Sequence, residues 1–259
     1  RKHLSQIKGG RLAAASAPAK LVTLVLSDVV GDDLSAIASG PTVPDPSTFA
    51  DALEIVQKYK MDLPASALKV LNEGISETPK PGDVLFGGNV VEIIASCRNS
   101  LDAAANVAEA AGVTAIVLDD SLEGEARIVG REMAGIVADY KDQAPCVLLS
   151  GGELTVTVTG SGKGGPNTEF LMGLASGLKG AKDVFVIACD TDGADGLVDN
   201  AGAMITPDTL ARANAAGFDL DAMLTNNDAY SFFEALGDLV ISGPTHTNAN
   251  DFRAILITA

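Results

Sequence analysis

From residue 90 onward, short apolar runs alternate with stretches of helical periodicity, and this alternation limits the architectures open to the chain more than any single motif does. Residues 90–95 have strand composition, 101–112 form an alanine-rich helical pattern, and 113–118 read as a strand again. A helical pattern over 123–140 leads to the apolar triplet 147–149, an alternating stretch over 154–159 and an apolar run over 184–188. The tail adds helical patterns at 208–215 and 229–236 and short strands at 239–241 and 255–258. Strands and helices that alternate this way pack in layers, so the reading is an α/β fold with a doubly wound, Rossmann-like sheet and helices on both faces. An apolar run at 21–26 and helical patterns at 49–59 and 65–74 come first. A Pro- and charge-rich stretch over 77–83 separates them from the rest as a linker or crossover.

The run Ser150-Gly-Gly-Glu-Leu-Thr-Val-Thr-Val-Thr-Gly-Ser-Gly-Lys-Gly-Gly-Pro-Asn-Thr-Glu169 reads as a strand, a glycine-rich turn and a helix start. Gly160, Gly162, Gly164 and Gly165 permit close backbone approach, so successive N–H groups could converge on a phosphate or carboxylate. Pro166 suits the first turn of a helix, whose amino end adds partial positive charge, and Lys163 adds a full one. A flexible hairpin capped by a surface helix is the plainer alternative. No Gly-Lys-Ser/Thr ends the run, so it is not a Walker A loop, and its spacing does not fit the dinucleotide fingerprint cleanly.

Carboxylates gather where strands end. Asp28, Asp32 and Asp33 follow the run at 21–26, and Asp190-Thr-Asp-Gly-Ala-Asp-Gly196 follows the run at 184–188. Open α/β sheets hold their ligands at that edge. Paired carboxylates there suit a hard divalent cation or a general base, against the alternative of an Asp/Gly turn. Glu153 and Glu169 flank the glycine turn. Ser242-Gly-Pro-Thr-His-Thr-Asn-Ala-Asn-Asp251 is dense in hydrogen-bonding groups: Thr245, Asn248 and Asn250 could hold hydroxyl or phosphate oxygens, or satisfy their own loop. The tetrapeptide Ser-Gly-Pro-Thr occurs at both 39 and 242. No Ser/Cys–His–Asp set suggests itself, and the residues point to phosphoryl transfer, which works by positioning and charge neutralisation.

A formal net charge of −16 argues against nucleic-acid and anionic-membrane partners, which need a basic footprint. Cys97, Cys146 and Cys189 are widely spaced in apolar runs, as free thiols in a reducing cytoplasm would be, and no zinc spacing is present. The chain opens on Arg1 without an initiator Met, as a processed, truncated or partly observed polypeptide would.

The segments 27–46, Ser150-Gly-Gly-Glu153, Gly164-Gly-Pro-Asn-Thr-Glu169, Thr191-Asp-Gly-Ala-Asp-Gly196 and Gly243-Pro-Thr-His-Thr-Asn-Ala-Asn-Asp251 occur in the order found in the class II glycerate kinases, which the chain resembles from Arg1 to Ile257. That family is often labelled hydroxypyruvate reductase, after a tartrate-utilisation protein, and its carboxyl-terminal part is called MOFRL. The resemblance implies ATP- and magnesium-dependent phosphorylation of D-glycerate to 2-phosphoglycerate in a cleft between two α/β domains. Residues 1–82 would be the latter part of the first domain, and 83–259 the second, with MOFRL over about 145–252.

The resemblance implies catalytic roles for Asp192, Glu153 and Lys163, with Asp192 orienting or deprotonating the substrate hydroxyl. Gly151, Gly152, Gly162, Gly164, Gly165, Asn167, Glu169, Thr245, Asn248 and Asn250 would line the substrate and nucleotide sites, and Asp28, Asp190 and Asp32 would hold the metal. Two departures stand out: Pro166 lies where many members have Arg, and the family's longer amino-terminal segment, with its Ser-Gly-Gly-Gly and Lys, is not in this chain. The alternatives are an NADH- or NADPH-dependent hydroxypyruvate reductase and a non-catalytic ligand-binding remnant. A homodimer is left open.

Overall fold

The computed structural model describes all 259 residues, which form two compact units. One unit comprises Arg1–Val25 and Gly31–Ile94, and the other Leu26–Val30 and Ala95–Ala259.

In the first unit, helices α1 (Arg11–Ser16), α2 (Phe49–Lys58) and α3 (Ala65–Glu73) accompany a two-stranded sheet of β1 (Val22–Leu26) and β2 (Val90–Ala95). Thr48 and Asp51 start α2 with a reciprocal capping box, and Gly74 ends α3 in the left-handed conformation. Between α1 and α2, buried Asp45 accepts hydrogen bonds from Lys2 Nζ at 3.0 Å, Ser47 Oγ at 2.8 Å and Thr78 Oγ1 at 2.9 Å. Burial opposes ionisation of Asp45, but these donors prevail and draw its carboxyl down to about 2.

The second unit is built on a six-stranded sheet in the order β3 (Thr114–Glu125), β4 (Cys146–Thr155), β8 (Asp251–Ile257), β5 (Val184–Asp190), β6 (Gly202–Ile205), β7 (Leu239–Val240). β3 and β4 are parallel, and every other neighbouring pair is antiparallel. Helices cover both faces. On one, Cys97 and Leu101 of α4 (Cys97–Ala110) pack against Val147 and Leu149 of β4 and the β8 side chains Phe252, Ala254 and Leu256. The other face carries α5 (Ala126–Asp139), α6 (Pro166–Leu178), α7 (Thr209–Ala215), α8 (Leu220–Thr225) and α9 (Ala229–Leu236). There Met133, Phe170, Leu174, Phe232 and Phe233 meet Leu148, Val186, Ile255 and Ile257. The two faces use alternate residues of one strand, as the pleat requires.

The alternating stretch at 154–159 is not a separate strand. One strand, β4, runs from Cys146 through the Ser-Gly-Gly-Glu segment and stops at Thr155. Beyond it, backbone donors turn to side chains: Thr157 N–H donates to the Glu125 carboxylate at 3.1 Å and Thr159 N–H to Asn227 Oδ1 at 2.8 Å. A period-two pattern marks extended chain, and pairing decides whether it becomes a strand.

Candidate functional site

The second unit gathers its polar residues where β4 and β5 end and β8, running the opposite way, begins. Gly152, Asp251 and Asp190 form one row across these three strands. The next rows inward are Gly151, Phe252 and Cys189, then Ser150, Arg253 and Ala188. Gly152 has φ 110°, and a Cβ there would overlap the Leu122 backbone. A Cβ on Gly151 would overlap Cys97 Sγ. Both glycines thus let β4 lie flush against its neighbours.

Past the row, the Asp190–Gly196 turn and the 242–250 loop interlock. Thr191 Oγ1 donates to Asn250 C=O at 2.8 Å and accepts from Ala249 N–H at 2.8 Å. Thr245 Oγ1 donates to Thr191 C=O at 2.6 Å, and Thr245 N–H donates to Asp192 C=O at 3.0 Å. Asn248 Oδ1 accepts from Asn250 N–H at 2.9 Å, which closes the loop's own turn. The structure therefore brings Asp190, Asp192, Thr245, Asn248 and Asn250 together, beside Gly151, Gly152 and Glu153 on β4. Asp192 is half-buried, and its Oδ1 accepts from Ala194 N–H at 2.7 Å. Asp190 accepts from Asp192 N–H at 2.9 Å, and its carboxyl is pushed up to about 7 by burial and by the nearby charges of Asp251 and Asp192.

The amino end of α6 corrects the expected anion seat. Its donors are already taken by a carboxylate of the same chain. Asp195, fully buried, accepts from Asn167 N–H at 2.8 Å, Thr168 N–H at 2.9 Å and Thr168 Oγ1 at 2.7 Å. Pro166 has no N–H to offer, and Glu169 N–H bonds Gly165 C=O. The glycines of the loop serve internal packing too. A Cβ on Gly165 would overlap the Asp195 carbonyl, and Cβ atoms on Gly160 and Gly162 would overlap Asn226 and Asp228. A Cβ on Gly164 would come within 3.3 Å of the Ala229 Cβ, a tight contact.

Two further site candidates are structural. Asn167, fully buried, donates from Nδ2 to Asp251 Oδ1 at 2.6 Å. Buried Glu169 accepts from Arg127 Nε at 2.6 Å and from Asn227 Nδ2 at 3.0 Å, with both carboxylate oxygens engaged. Lys163 and Glu153 are exposed and enter no ion pair. Asp28 is exposed and Asp32 half-buried with φ 54°, and neither makes a hydrogen bond to hold its side chain. No group of three or more His, Cys, Asp or Glu side chains is placed to hold a metal ion on its own.

Reading by motif missed Asp195, Asp251 and Arg253 as a buried charged group. Arg253 is fully buried, its Nη2 bonds Asp251, and its guanidinium lies over the Phe170 ring with Cζ 5.1 Å from the centroid. Asp251, Arg253, Ile255 and Ile257 occupy alternate positions on the inward face of β8. Charged residues in phase with a buried apolar pattern were the signal that could have found Asp251 and Arg253.

Residues 146–251 match the MOFRL family, and residues 1–72 match a family described as Domain of unknown function (DUF4147). A protein of Agrobacterium vitis, provisionally named a hydroxypyruvate reductase, is 51% identical over 264 residues, covering 99% of this chain and 68% of that protein. The D-glycerate 2-kinase of Thermotoga maritima is 41% identical over 262 residues, covering 99% of this chain and 61% of that one. The crystal structure of a glycerate kinase from Thermotoga maritima matches with a TM-score of 0.90 at 40% identity, over 100% of this chain and 62% of that chain. The chain spans about three fifths of the length of most curated relatives it matches.

Proposed function

Since the chain belongs to the glycerate kinase family of DUF4147 and MOFRL parts, we propose that it transfers a phosphoryl group from ATP to the 2-hydroxyl of D-glycerate, giving 2-phosphoglycerate. The observation that carries this reading is the interlocked pair of loops at the end of β5, which hold Asp190 and Asp192 beside the hydroxyl- and amide-rich 245–250 segment. Phosphoryl transfer asks a protein mainly to position its reactants and neutralise charge. In this reading Asp192 takes the proton of the attacking hydroxyl. One of its oxygens is fixed by Ala194 N–H, and the raised Asp190 carboxyl lies beside it. Exposed Lys163 meets the charge of the phosphoryl group, and Glu153 orients the substrate from the end of β4.

Magnesium enters as the nucleotide's counter-ion. In this reading no step is assigned to a protein-held metal. The free thiols, Cys97, Cys146 and Cys189, suit a cytoplasmic enzyme. The name of the Agrobacterium vitis relative favours a second reading, a reductase using NADH or NADPH. Against it stands the amino end of α6, where a dinucleotide pyrophosphate would bind in a Rossmann arrangement and where Asp195 already sits.

A phosphorus NMR time course of the 259-residue chain with D-glycerate, ATP and magnesium tests the proposal. Growth of a 2-phosphoglycerate signal, with no NADH loss when hydroxypyruvate and NADH are added, is the expected result. NADH consumption without phosphoryl transfer would replace the kinase with the reductase. Glycerate binding without either reaction would leave a ligand-binding remnant.

A further inference from the structure

We propose that Asp195 is a positioning residue of the candidate site: by closing the amino end of α6 it locks the Asp190–Gly196 turn to the glycine-rich loop and so fixes how Asp192 is presented. The reading that Asp192 serves phosphoryl transfer is the premise for its effect on turnover, whereas the lock itself stands on geometry.

Asp195 is fully buried, and both its oxygens are committed, Oδ1 to Asn167 N–H and Oδ2 to Thr168 N–H and Oγ1. A buried carboxylate survives only with such donors, and the positive end of α6 supplies them. The backbone on either side is equally constrained. Asp195 N–H donates to Asn200 C=O at 2.6 Å, and its carbonyl lies so close to Gly165 that a side chain there would overlap it. The opposite side of the same turn touches the 242–250 loop, where a Cβ on Gly193 would overlap the Gly243 carbonyl. The turn carrying Asp190 and Asp192 is thus held between two close backbone approaches, and Asp195 is its only side chain bonded to α6. Thr168 completes the lock from the helix side: its hydroxyl also accepts from Gly165 N–H at 3.0 Å. Holding a reacting group in one geometry is where small displacements are felt most, and a shift of about 1 Å can cost on the order of 100-fold in rate.

The test compares Thr168→Val, which keeps shape and removes the hydroxyl, with Thr168→Ser, which keeps the hydroxyl. Hydrogen exchange read by mass spectrometry should show Thr168→Val loosening peptides from both 160–169 and 190–196 by about tenfold, the scale of one lost hydrogen bond, with β4 and β8 unchanged. Its kcat should fall by roughly 10- to 100-fold while KM for glycerate moves by less than about threefold. Thr168→Ser should match the parent in both readouts. Loosening confined to 165–170, or an unchanged kcat in folded Thr168→Val, would overturn the proposal. If the parent chain shows no kinase turnover, the functional reading fails while the exchange comparison still decides the lock. Should Thr168→Val not fold, Asp195→Asn replaces it, since its amide would set N–H groups against the helix donors; loosening of both segments supports the lock, and loosening of one refutes it.

Discussion

Asp45 and Asp195 are both buried carboxylates, yet their proton affinities move in opposite directions. For Asp45, burial is outweighed by Ser47, Lys2 and Thr78, and the carboxyl falls to about 2. For Asp195, burial prevails over its bonds from Thr168 and Asn167, with Asp251 adding like charge, and the carboxyl rises to about 6. Asp195 is the more deeply enclosed, has only neutral donors and sits near the like charge of Asp251, whereas Asp45 has the hydroxyls of Ser47 and Thr78 and the ammonium of Lys2 at 3.0 Å. Linkage gives each a signed consequence. The depressed Asp45 stabilises the fold above the unfolded pKa near 4, and the gain, roughly 2 kcal/mol, is lost as pH falls from 4 toward 2. The raised Asp195 does the reverse: the native state binds its proton more tightly, so about 3 kcal/mol is lost as pH rises from 4 through 6. Urea midpoints taken from pH 7 to pH 2.5 should therefore pass through a maximum on the acid side of neutrality. Asp45→Asn should flatten the acid limb, and Asp195→Asn the limb between pH 4 and 6. A limb that keeps its slope in its variant would refute the assignment. Neither charge state was legible in the sequence, because each depends on partners 27 to 43 positions away.

At the scale of elements, glycine decides how closely backbones approach, and this explains which features the sequence made readable. Composition and period placed β2, β5 and α9 to within a residue or two, and the start of α6 at Pro166, since each carries its own apolar face and end signals. β6 and α8 were not legible: both are short, at 4 and 6 residues, and are fixed by pairing and packing in place of local pattern. The glycine-rich run was legible as a turn, but its purpose was not. Glycine spacing does not reveal whether the close approach is by a ligand or by another part of the chain, and here it is Asn226, Asp228 and Asp195. The same reasoning separates three glycines of the helix pair α5–α6. A Cβ on Gly130 would overlap the Phe170 carbonyl and one on Gly173 the Arg127 carbonyl, whereas a Cβ on Gly135 meets nothing within 4 Å. Gly135→Ala should therefore raise stability by about 0.5–1 kcal/mol through helix propensity. Gly173→Ala should lower it by roughly 1–3 kcal/mol by prising the helices apart. Denaturant melts of the two variants check this, and equal effects would show that the helices are not held at glycine contact.

At the scale of the whole molecule, a chain of net charge −16 is proposed to bind an anionic nucleotide and an anionic acid. The general field opposes both ligands, so affinity must come from local groups: Lys163, the hydroxyl and amide side chains of the 245–250 loop, and the magnesium that travels with ATP. Long-range repulsion is screened by salt, with a Debye length of about 10 Å at 0.1 M, whereas contacts at the site are screened less. Magnesium–ATP binding should thus strengthen, or at least hold, as ionic strength rises from about 0.02 to 0.1 M, unlike a site governed by a basic surface, which would weaken. Binding to the native state alone stabilises by about 2.7 kcal/mol at a ligand concentration of 100 Kd. At roughly 2–4 °C per kcal/mol for a protein of this size, saturating magnesium–ATP should raise the unfolding temperature by about 5–10 °C. NADH, denied the α6 terminus by Asp195, should leave it unmoved. A shift with NADH and none with magnesium–ATP would reverse the functional assignment. Equal shifts that vanish at 0.1 M salt would mean that both ligands meet only surface charge, and that the loops at the end of β5 are not the nucleotide's site.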